Sequence, residues 1–397
     1  MRQREKERRR FGPAALAVTA ATTFLITLAA VVLAAWLFIG PDGLTLLSGF
    51  GVIRTQFVGE YDQEEGIDMA LSGLVAGTGD RWSYYLNRER YASERERREN
   101  IYVGIGVTVD YSREEGVTIQ SVTPGGPAEA AGLKAGEVIT AVDGVSIAGD
   151  ARQEAVERIQ GKEGTQVVLS LLAPDGSRRE VTVCRGRIET DPVAYELLDG
   201  GVGYIQVKNF FRRSAEQVEA AAQALRDQGA TALIFDMRNN SGGYLDELIP
   251  MLDALLPEGP IFRTRSNRGK EEVYQSDDRC VDLPMAVLVN ESTYSAAEIF
   301  AAELRERGAA VIVGVPTSGK GYSQQIFPLP NGGALGISTA EYFTGEGTSL
   351  VGTGLTLDQE IALSEEDDAQ QKAGTLPKEK DWQLQAALAL LNPDAKV

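Results

Sequence analysis

The stretch that decides the fold is PMAVLVNESTYSAAEIFAAELRERGAAVIVGVPTSGKGYSQ, residues 284–324. Its apolar run Met285–Val289 predicts a buried strand, and a polar turn separates this strand from Ser295. Apolar residues at helical spacing follow Ser295, and a second apolar strand, Ala310–Val313, leads to a glycine-rich turn that carries Lys320. A serine at a strand-to-helix turn presents its hydroxyl outward, beside helix amides that can receive an oxyanion. The stretch therefore predicts an α/β fold with Ser295 as a candidate nucleophile.

Composition limits the chemistry that this serine can use. The 397 residues include no histidine, so a Ser–His–Asp triad, a Cys–His pair and imidazole metal sites are excluded. Two cysteines alone cannot form a thiolate zinc site, and we expect neither metal nor cofactor. A lysine can act as the base of a serine nucleophile when burial keeps its amine neutral. Lys320, which lies between two glycines after a predicted buried strand, is the candidate.

A second glycine-rich loop follows another predicted strand. It reads FDMRNNSGGYLDE, residues 235–247, and carries Gly242 and Gly243. Glycines there let the backbone approach a ligand closely and direct amides at it. Taken one at a time, Ser295 also fits a helix cap and Lys320 a solvated loop lysine. The residue types by themselves leave both interpretations open.

Three motifs together resemble the carboxyl-terminal processing peptidases, also called tail-specific proteases. The motifs are DMRNNSGG at 236–243, SAAEI at 295–299 and GKGYSQ at 319–324, and the resemblance extends over roughly residues 50–392. It implies that Ser295 is the nucleophile, Lys320 the base and Gln324 the residue that orients the base. It also implies a peptidase core with a parallel sheet, like the crotonases and the Clp proteolytic subunit. This chain departs from the family pattern at Thr293-Tyr294, Ala297, Ser241 and Ser318, and no departure removes a catalytic group.

The mechanism expected from these motifs is peptide hydrolysis. Gln324 would hold the lysine by a hydrogen bond if residues 320–324 form a helical turn. The oxyanion would lie between the Ala296 amide and that of Gly242 or Gly243. We interpret Asp236 and Arg238 as structural, and Glu298 as a carboxylate on a helix surface.

Residues 101–185 resemble a PDZ domain, a β-barrel-like module that binds peptide tails. The loop YVGIGV at 102–107 resembles the loop in which backbone amides receive a peptide C-terminal carboxylate. The expected peptide-binding residues are Val103, Gly104, Ile105 and Gly106. Ala151–Gln160 would form the helix on the other wall of the groove. A generic small β domain is the alternative.

The N-terminus predicts a membrane anchor. Residues 1–10 carry six basic and two acidic groups, and residues 11–40 contain no charge. About 20 apolar residues suffice to cross a bilayer as a helix, and the basic cluster predicts a cytoplasmic N-terminus. The PDZ and peptidase domains would then lie outside the cytoplasm. A cleaved signal peptide is the alternative, although the apolar run is longer than its usual hydrophobic region. The formal net charge of −18 argues against a nucleic-acid partner.

These predictions divide the chain into six segments. They are a cytoplasmic basic tail (1–10), a transmembrane helix (11–40), a helical packing segment that is also a candidate homodimer contact (41–100), the PDZ domain (101–185), the peptidase core (186–363), and an acidic linker with a C-terminal helix (364–397). Cys184 and Cys280 are expected to be unpaired thiols. The predicted function is a membrane-anchored serine endopeptidase that recognises substrate tails. The alternatives are a tethered PDZ protein without catalysis and a different serine hydrolase, such as an esterase or amidase.

Overall fold

A computed structural model describes residues 12–391. The predicted basic tail at 1–10 lies outside the described residues, as do the last six positions of the predicted C-terminal segment. The chain divides into two compact units, Met1–Gly73 and Leu74–Val397.

The first unit is dominated by helix α1, Pro13–Gln56. The helix is interrupted at Gly40, whose φ of 66° is not helical, and at Pro41, which lacks the N–H that a continuous helix needs. Within α1, Ala14–Ala34 has a mean hydropathy of 2.3 and is unburied. It is the one helix among residues 12–391 that is long and apolar enough to cross a membrane, a test that a signal sequence also passes.

Three short elements precede the predicted PDZ domain. They are helix α2 (Gln63–Ala76), strand β1 (Tyr84–Leu86) and helix α3 (Arg88–Arg98). The expectation of a purely helical segment over 41–100 is wrong, because β1 lies within it and pairs with a strand of the following core. Helix α3 begins at Asn87, whose side chain accepts a hydrogen bond from the Arg90 amide.

The PDZ domain is an antiparallel sheet with two short helices and a separate apolar core. Its elements are β2 (Ile101–Gly104), β3 (Val107–Asp110), β4 (Val117–Val122), α4 (Pro127–Ala130), β5 (Val138–Val142), β6 (Val145–Ser146), a 3-10 helix (Gly149–Glu154), α5 (Ala155–Ile159), β7 (Gln166–Leu172) and β8 (Arg178–Cys184). The sheet order is β3-β4-β5-β7-β8, so β3 lies at an edge. The predicted groove helix is α-helical only over α5. The barrel-like form stays a prediction.

The peptidase core follows. Its elements are β9 (Gly186–Glu189), β10 (Val193–Leu198), β11 (Val202–Val207), α6 (Ser214–Asp227), β12 (Ala232–Asp236), α7 (Leu245–Asp253), β13 (Gly259–Ser266), β14 (Glu271–Ser276), β15 (Met285–Val289), α8 (Ala296–Glu306), β16 (Ala310–Gly314), β17 (Tyr322–Pro328), β18 (Ala334–Phe343), β19 (Gln359–Glu360), α9 (Glu365–Lys372), a 3-10 helix (Lys378–Lys380) and α10 (Trp382–Leu391).

Two sheets of the core position the predicted catalytic residues. In the first, β11, β12, β15, β16 and β19 pair in parallel, with β10 antiparallel at one edge. Strands β12 and β15 are buried along their whole length and are neighbours, so the loops that follow them emerge side by side. The second sheet has the order β1-β18-β13-β14, and β17 also pairs with β18.

The acidic segment after residue 363 is more ordered than its sequence predicted. Instead of an irregular linker, it contains α9. The Ser364 side chain accepts a hydrogen bond from the Asp367 amide, and four acidic residues occupy the first turn, where the helix dipole stabilises negative charge. Capping and the helix dipole therefore stabilise α9, although its sequence has no apolar periodicity that would predict a helix.

Candidate active site

Ser295 lies at the turn between β15 and α8. It is the N-terminal flanking residue of the helix and has a φ of 63° and a ψ of −125°. Backbone geometry of this kind is unfavourable for a residue with a side chain, and it concentrates at functional sites. A hydrogen bond joins this turn to the loop after β12: the Tyr294 amide donates to the Asn240 carbonyl at 3.2 Å.

Side-chain hydrogen bonds join the loops after β12 and β15. Asn290 accepts from the Asn239 amide at 2.9 Å and donates to the Asn239 side chain at 2.8 Å. The buried Thr293 hydroxyl donates to the Met237 carbonyl at 2.8 Å. The loop with the predicted nucleophile and the loop with the predicted oxyanion glycines are therefore one hydrogen-bonded unit.

The glycine loop lies against Ser295. Gly242 has a φ of 83°, and a Cβ placed on it would come within 2.9 Å of both the Ser295 Cβ and the Ala296 nitrogen. The Gly242 amide already donates to the Asn240 side chain at 2.8 Å. The Gly243 amide donates no hydrogen bond within residues 12–391. Of the two glycine amides, it is therefore the one that remains available to an oxyanion.

Lys320 lies in the loop between β16 and β17 and is half-buried. Its Nζ is 5.0 Å from the centre of the Trp82 ring and 5.8 Å from the centre of the Tyr294 ring. Burial lowers the pKa of the Lys320 ammonium to about 8, and the positive charge of Arg98 acts in the same direction. Between the described side chains of Lys320 and Ser295 no hydrogen bond is formed. Such contacts are often long in a free enzyme and shorten when substrate binds.

Glu298 was considered as an assisting residue from the sequence, but the preferred interpretation, a carboxylate on a helix surface, is wrong. The side chain is fully buried. Its Oε2 accepts from the Ser295 and Lys320 amides, each at 3.1 Å, and its Oε1 accepts from the Gly319 amide at 2.8 Å and the Thr317 hydroxyl at 2.6 Å. Burial raises the pKa of this carboxyl, although the hydrogen bonds oppose the rise. One carboxylate thus ties the serine turn to the lysine loop.

Tyr342 is a second residue that the sequence did not indicate. It is buried on β18, its hydroxyl donates to the Lys320 carbonyl, and it also interacts with the Ser295 side chain. Burial, with the nearby negative charge of Glu298, raises the pKa of the Tyr342 phenol. A protonated phenol therefore lies between the backbone of the predicted base and the predicted nucleophile.

Gln324 does not hold Lys320 in the way that the sequence suggested. Residues 322–328 form strand β17, so the expected helical turn from Lys320 to Gln324 is wrong. The Gln324 amide donates to the Tyr322 carbonyl at 2.9 Å and to the Ser338 hydroxyl at 3.0 Å. Gln324 nevertheless lines the same cleft as Ser295 and Lys320. Its catalytic role stays a prediction.

The cleft around these residues has a volume of about 1070 Å³. Its lining includes the apolar residues Leu248, Phe262 and Ile299 and several charged residues of α3. The sequence analysis placed α3 in the helical segment at 41–100 and did not assign it to the site. A lining that combines apolar and polar side chains is typical of a ligand-binding cleft.

Asp236 and Arg238 lie outside the cleft, in a buried ionic cluster. The Arg238 guanidinium donates to the Asp236 carboxylate at 2.6 Å and to that of Asp381 at 2.8 Å. Asp381 directly precedes α10, so the pair fastens the C-terminal helix to the loop after β12. These contacts agree with the structural role expected from the sequence.

The four predicted peptide-binding residues divide between two environments. Val103 and Gly104 belong to β2 and pair with Arg187 and Gly186 of β9. Ile105 and Gly106 form the loop that leads into the edge strand β3, and the Ile105 side chain is buried. The Gly106 φ of 79° explains the glycine at this point.

Cys184 and Cys280 are unpaired, as expected. Among residues 12–391, no group of three or more Asp, Glu or Cys side chains is arranged to hold a metal ion.

Comparisons with known proteins agree with the motifs. Residues 201–361 match the peptidase family S41, and residues 93–173 match the PDZ domain family. A carboxy-terminal-processing protease of Bartonella bacilliformis is 32% identical over 320 residues, which cover 78% of this chain and 72% of that protein. The chain belongs to the carboxyl-terminal processing proteases.

One further relative and one solved structure are also similar to this chain. The carboxy-terminal processing protease CtpA of Bacillus subtilis is 32% identical, over 74% of this chain and 64% of that protein. A Bacteroides fragilis protein whose crystal structure was assigned to the S41 proteases shares the fold, with a TM-score of 0.59 and 20% identity over 86% of this chain and 93% of that one. Ser295, Lys320 and the glycine loop all lie within the S41 match.

Proposed function

We propose that this protein is a membrane-anchored serine endopeptidase with a Ser295–Lys320 dyad. The observation that carries the proposal is the setting of Lys320. Its amine lies among aromatic rings in the same cleft as a serine on a strained strand-to-helix turn, and burial lowers its pKa to about 8. An amine in this range is neutral often enough near pH 8 to act as a general base.

The proposed reaction begins with attack of the Ser295 Oγ on the scissile carbonyl. Lys320 accepts the hydroxyl proton and passes a proton to the leaving amine, which breaks the peptide bond. A water molecule then attacks the acyl-enzyme with Lys320 again as base, which releases the carboxylic acid and restores the serine. The Ala296 and Gly243 amides would stabilise the oxyanion in both steps, and losing one such donor costs about 2.7–4 kcal/mol in other enzymes.

The PDZ domain would select substrates by their C-terminal tails. Strand β3 has a free edge, along which an extended peptide can pair, and the loop at Ile105–Gly106 lies at the start of that edge. Backbone amides of this loop would receive the terminal carboxylate. We therefore expect a peptide with a free C-terminus to bind more tightly than the same peptide with an amidated C-terminus.

Anchoring by α1 is part of the proposal. The apolar segment Ala14–Ala34, together with the basic residues that precede it in the sequence, supports a single-pass orientation with the N-terminus in the cytoplasm. The PDZ and peptidase domains would then act outside the cytoplasm. The homodimer, and the kinship of the core with crotonases and the Clp subunit, stay predictions.

Labelling with a fluorophosphonate tests the dyad. We expect the full-length chain in detergent to be labelled at Ser295, and Ser295→Ala and Lys320→Ala to lose the label. Lys162→Ala is the matched control, because Lys162 is exposed and distant in sequence from the motifs. Equal labelling of wild type and Lys320→Ala would exclude the dyad.

The two alternatives give different results in the same experiment. A tethered PDZ protein without catalysis would bind peptide tails and take up no label, and no comparison supports this alternative. An esterase or amidase would hydrolyse small esters at a rate independent of any peptide tail.

A further inference from the structure

A short segment that precedes the PDZ domain in sequence reaches the predicted catalytic residues of the core. Asp80 organises it as a turn, because its carboxylate accepts from the Trp82 amide at 3.0 Å and from the Ser83 hydroxyl at 2.6 Å. Strand β1 follows at once and pairs antiparallel with β18, with Tyr84 opposite Gly336. The turn is therefore fixed to the sheet that also carries β17.

The Trp82 side chain forms one wall around Lys320. The Lys320 Nζ is 5.0 Å from the centre of the Trp82 ring, and the Tyr294 ring lies 6.0 Å from the same ring. Arg81 holds the indole in place, since its guanidinium lies 4.4 Å from the ring centre and donates to the Ser318 carbonyl at 3.3 Å. Trp82 is itself half-buried, so its ring shields the lysine from solvent.

The same turn reaches Gln324 through a chain of hydrogen bonds. The Ser83 hydroxyl, which donates to Asp80, accepts from the Ser338 amide at 3.1 Å. The Ser338 hydroxyl in turn accepts from the Gln324 side chain at 3.0 Å. The path from Asp80 to Gln324 therefore runs through Ser83 and through Ser338 of β18.

We infer that the turn Asp80–Ser83 is part of the catalytic apparatus, with Trp82 as a positioning residue for Lys320 and Ser83 as a positioning residue for Gln324. The inference rests on the proposed Ser–Lys function. It replaces the interpretation of this segment as packing only.

Two opposing effects of the Trp82 ring make the inference testable. Exclusion of water destabilises the ammonium and favours the neutral amine, whereas the electron-rich face of the ring attracts the ammonium. Burial is the largest influence on the Lys320 pKa, so we expect the first effect to dominate. Removing the ring should then raise the pH at which Ser295 becomes reactive.

The test measures fluorophosphonate labelling of full-length protein against pH for Trp82→Ala, Trp82→Phe and Trp382→Ala. Trp382 is 60% exposed and serves as a matched control. We expect Trp82→Ala to move the midpoint upward by at least one pH unit and to slow labelling at pH 7 at least tenfold. Trp82→Phe should shift this midpoint less, and Trp382→Ala should leave it unchanged. Should Trp82→Ala fail to fold, Trp82→Leu carries the same expectation.

A midpoint that is unchanged or lowered in the folded Trp82 variants would overturn the role of Trp82. The role of Ser83 is tested by Ser83→Ala, for which we expect a lower limiting rate of labelling at saturating probe and an unchanged half-saturating concentration. Ser83→Thr keeps the hydroxyl and should restore the rate. An unchanged limiting rate of labelling in Ser83→Ala would refute the role of Ser83 in positioning Gln324. Failure of the dyad itself would instead appear in the wild type, as absent or Lys320-independent labelling.

Discussion

Raising the pH from 7 to 9 should accelerate the modification of Ser295 by a fluorophosphonate about tenfold. The Lys320 pKa is about 8. About one amine in ten is then neutral at pH 7 and about nine in ten at pH 9, since the ratio of the two forms changes tenfold per pH unit. The rate should therefore rise through pH 8 and reach a plateau above pH 9.

An unperturbed lysine predicts a different curve. With a pKa of about 10.4, the neutral fraction would rise about a hundredfold between pH 7 and 9, without a plateau in that range. Stopped-time labelling, quantified by intact mass at pH 6.5–10, separates the two curves. Lys320→Ala is the control, and its residual rate should lack the step at pH 8. A hundredfold rise without a plateau would refute the assignment of Lys320 as a desolvated base.

Three further predictions concern two residues of the site, Gly242 and Glu298, and one buried carboxyl of helix α8, Glu303. Gly242→Ala should lower the labelling rate at least about a hundredfold, because its Cβ would lie 2.9 Å from that of Ser295 at a φ of 83°; an unchanged rate would mean that the glycine loop is not near the reacting atoms. Glu298→Ala should lower the free energy of unfolding by about 3 kcal/mol or more in denaturant titrations, because four donors lose their charged acceptor, while Glu298→Gln should lose less. Burial raises the pKa of Glu303 to about 8, so the stability that its protonated carboxyl contributes is present at low pH and is lost as the pH rises towards 8. The melting temperature of the wild type should therefore fall between pH 5 and 8, and this part of the fall should be absent in Glu303→Gln. The same fall in both proteins would contradict the raised pKa of Glu303.

Local sequence patterns were sufficient to locate the serine turn and the glycine loop. Buried strands appear in the sequence as apolar runs, and the polar or glycine-rich segments that follow them indicate the loops at the ends of the parallel strands. Spacing and residue type made Ser295, Lys320 and Gly242 candidates, and the resemblance to the processing peptidases gave their expected roles. The structure brings all three to one cleft.

Gln324 and Glu298 show where the same patterns fail. A segment of four residues does not distinguish a helical turn from a strand, so the position of Gln324 relative to Lys320 was derived from the wrong geometry. Glu298 stands three residues after Ser295, which is the spacing of a helix-capping acid, and that pattern could have identified it as a buried partner of the turn.

The place of Trp82 in the site could not be predicted from the sequence for a different reason. Trp82 lies 213 positions before Ser295 (295 − 82), and the PDZ domain intervenes. No periodicity or propensity connects positions that distant, because the contact arises only when β1 joins the sheet that contains β18. Such residues become visible only in three dimensions.

The ionic cluster at Arg238 has a consequence for biosynthesis. A growing chain that has not yet reached Asp381 contains the loop after β12 but only one of the two carboxylates that Arg238 contacts there. Burying the Arg238 guanidinium without the Asp381 carboxylate is energetically costly. The glycine loop should therefore not reach its final conformation before α10 is synthesised. Proteolytic competence would then appear only after α10 has been synthesised and has packed against this loop.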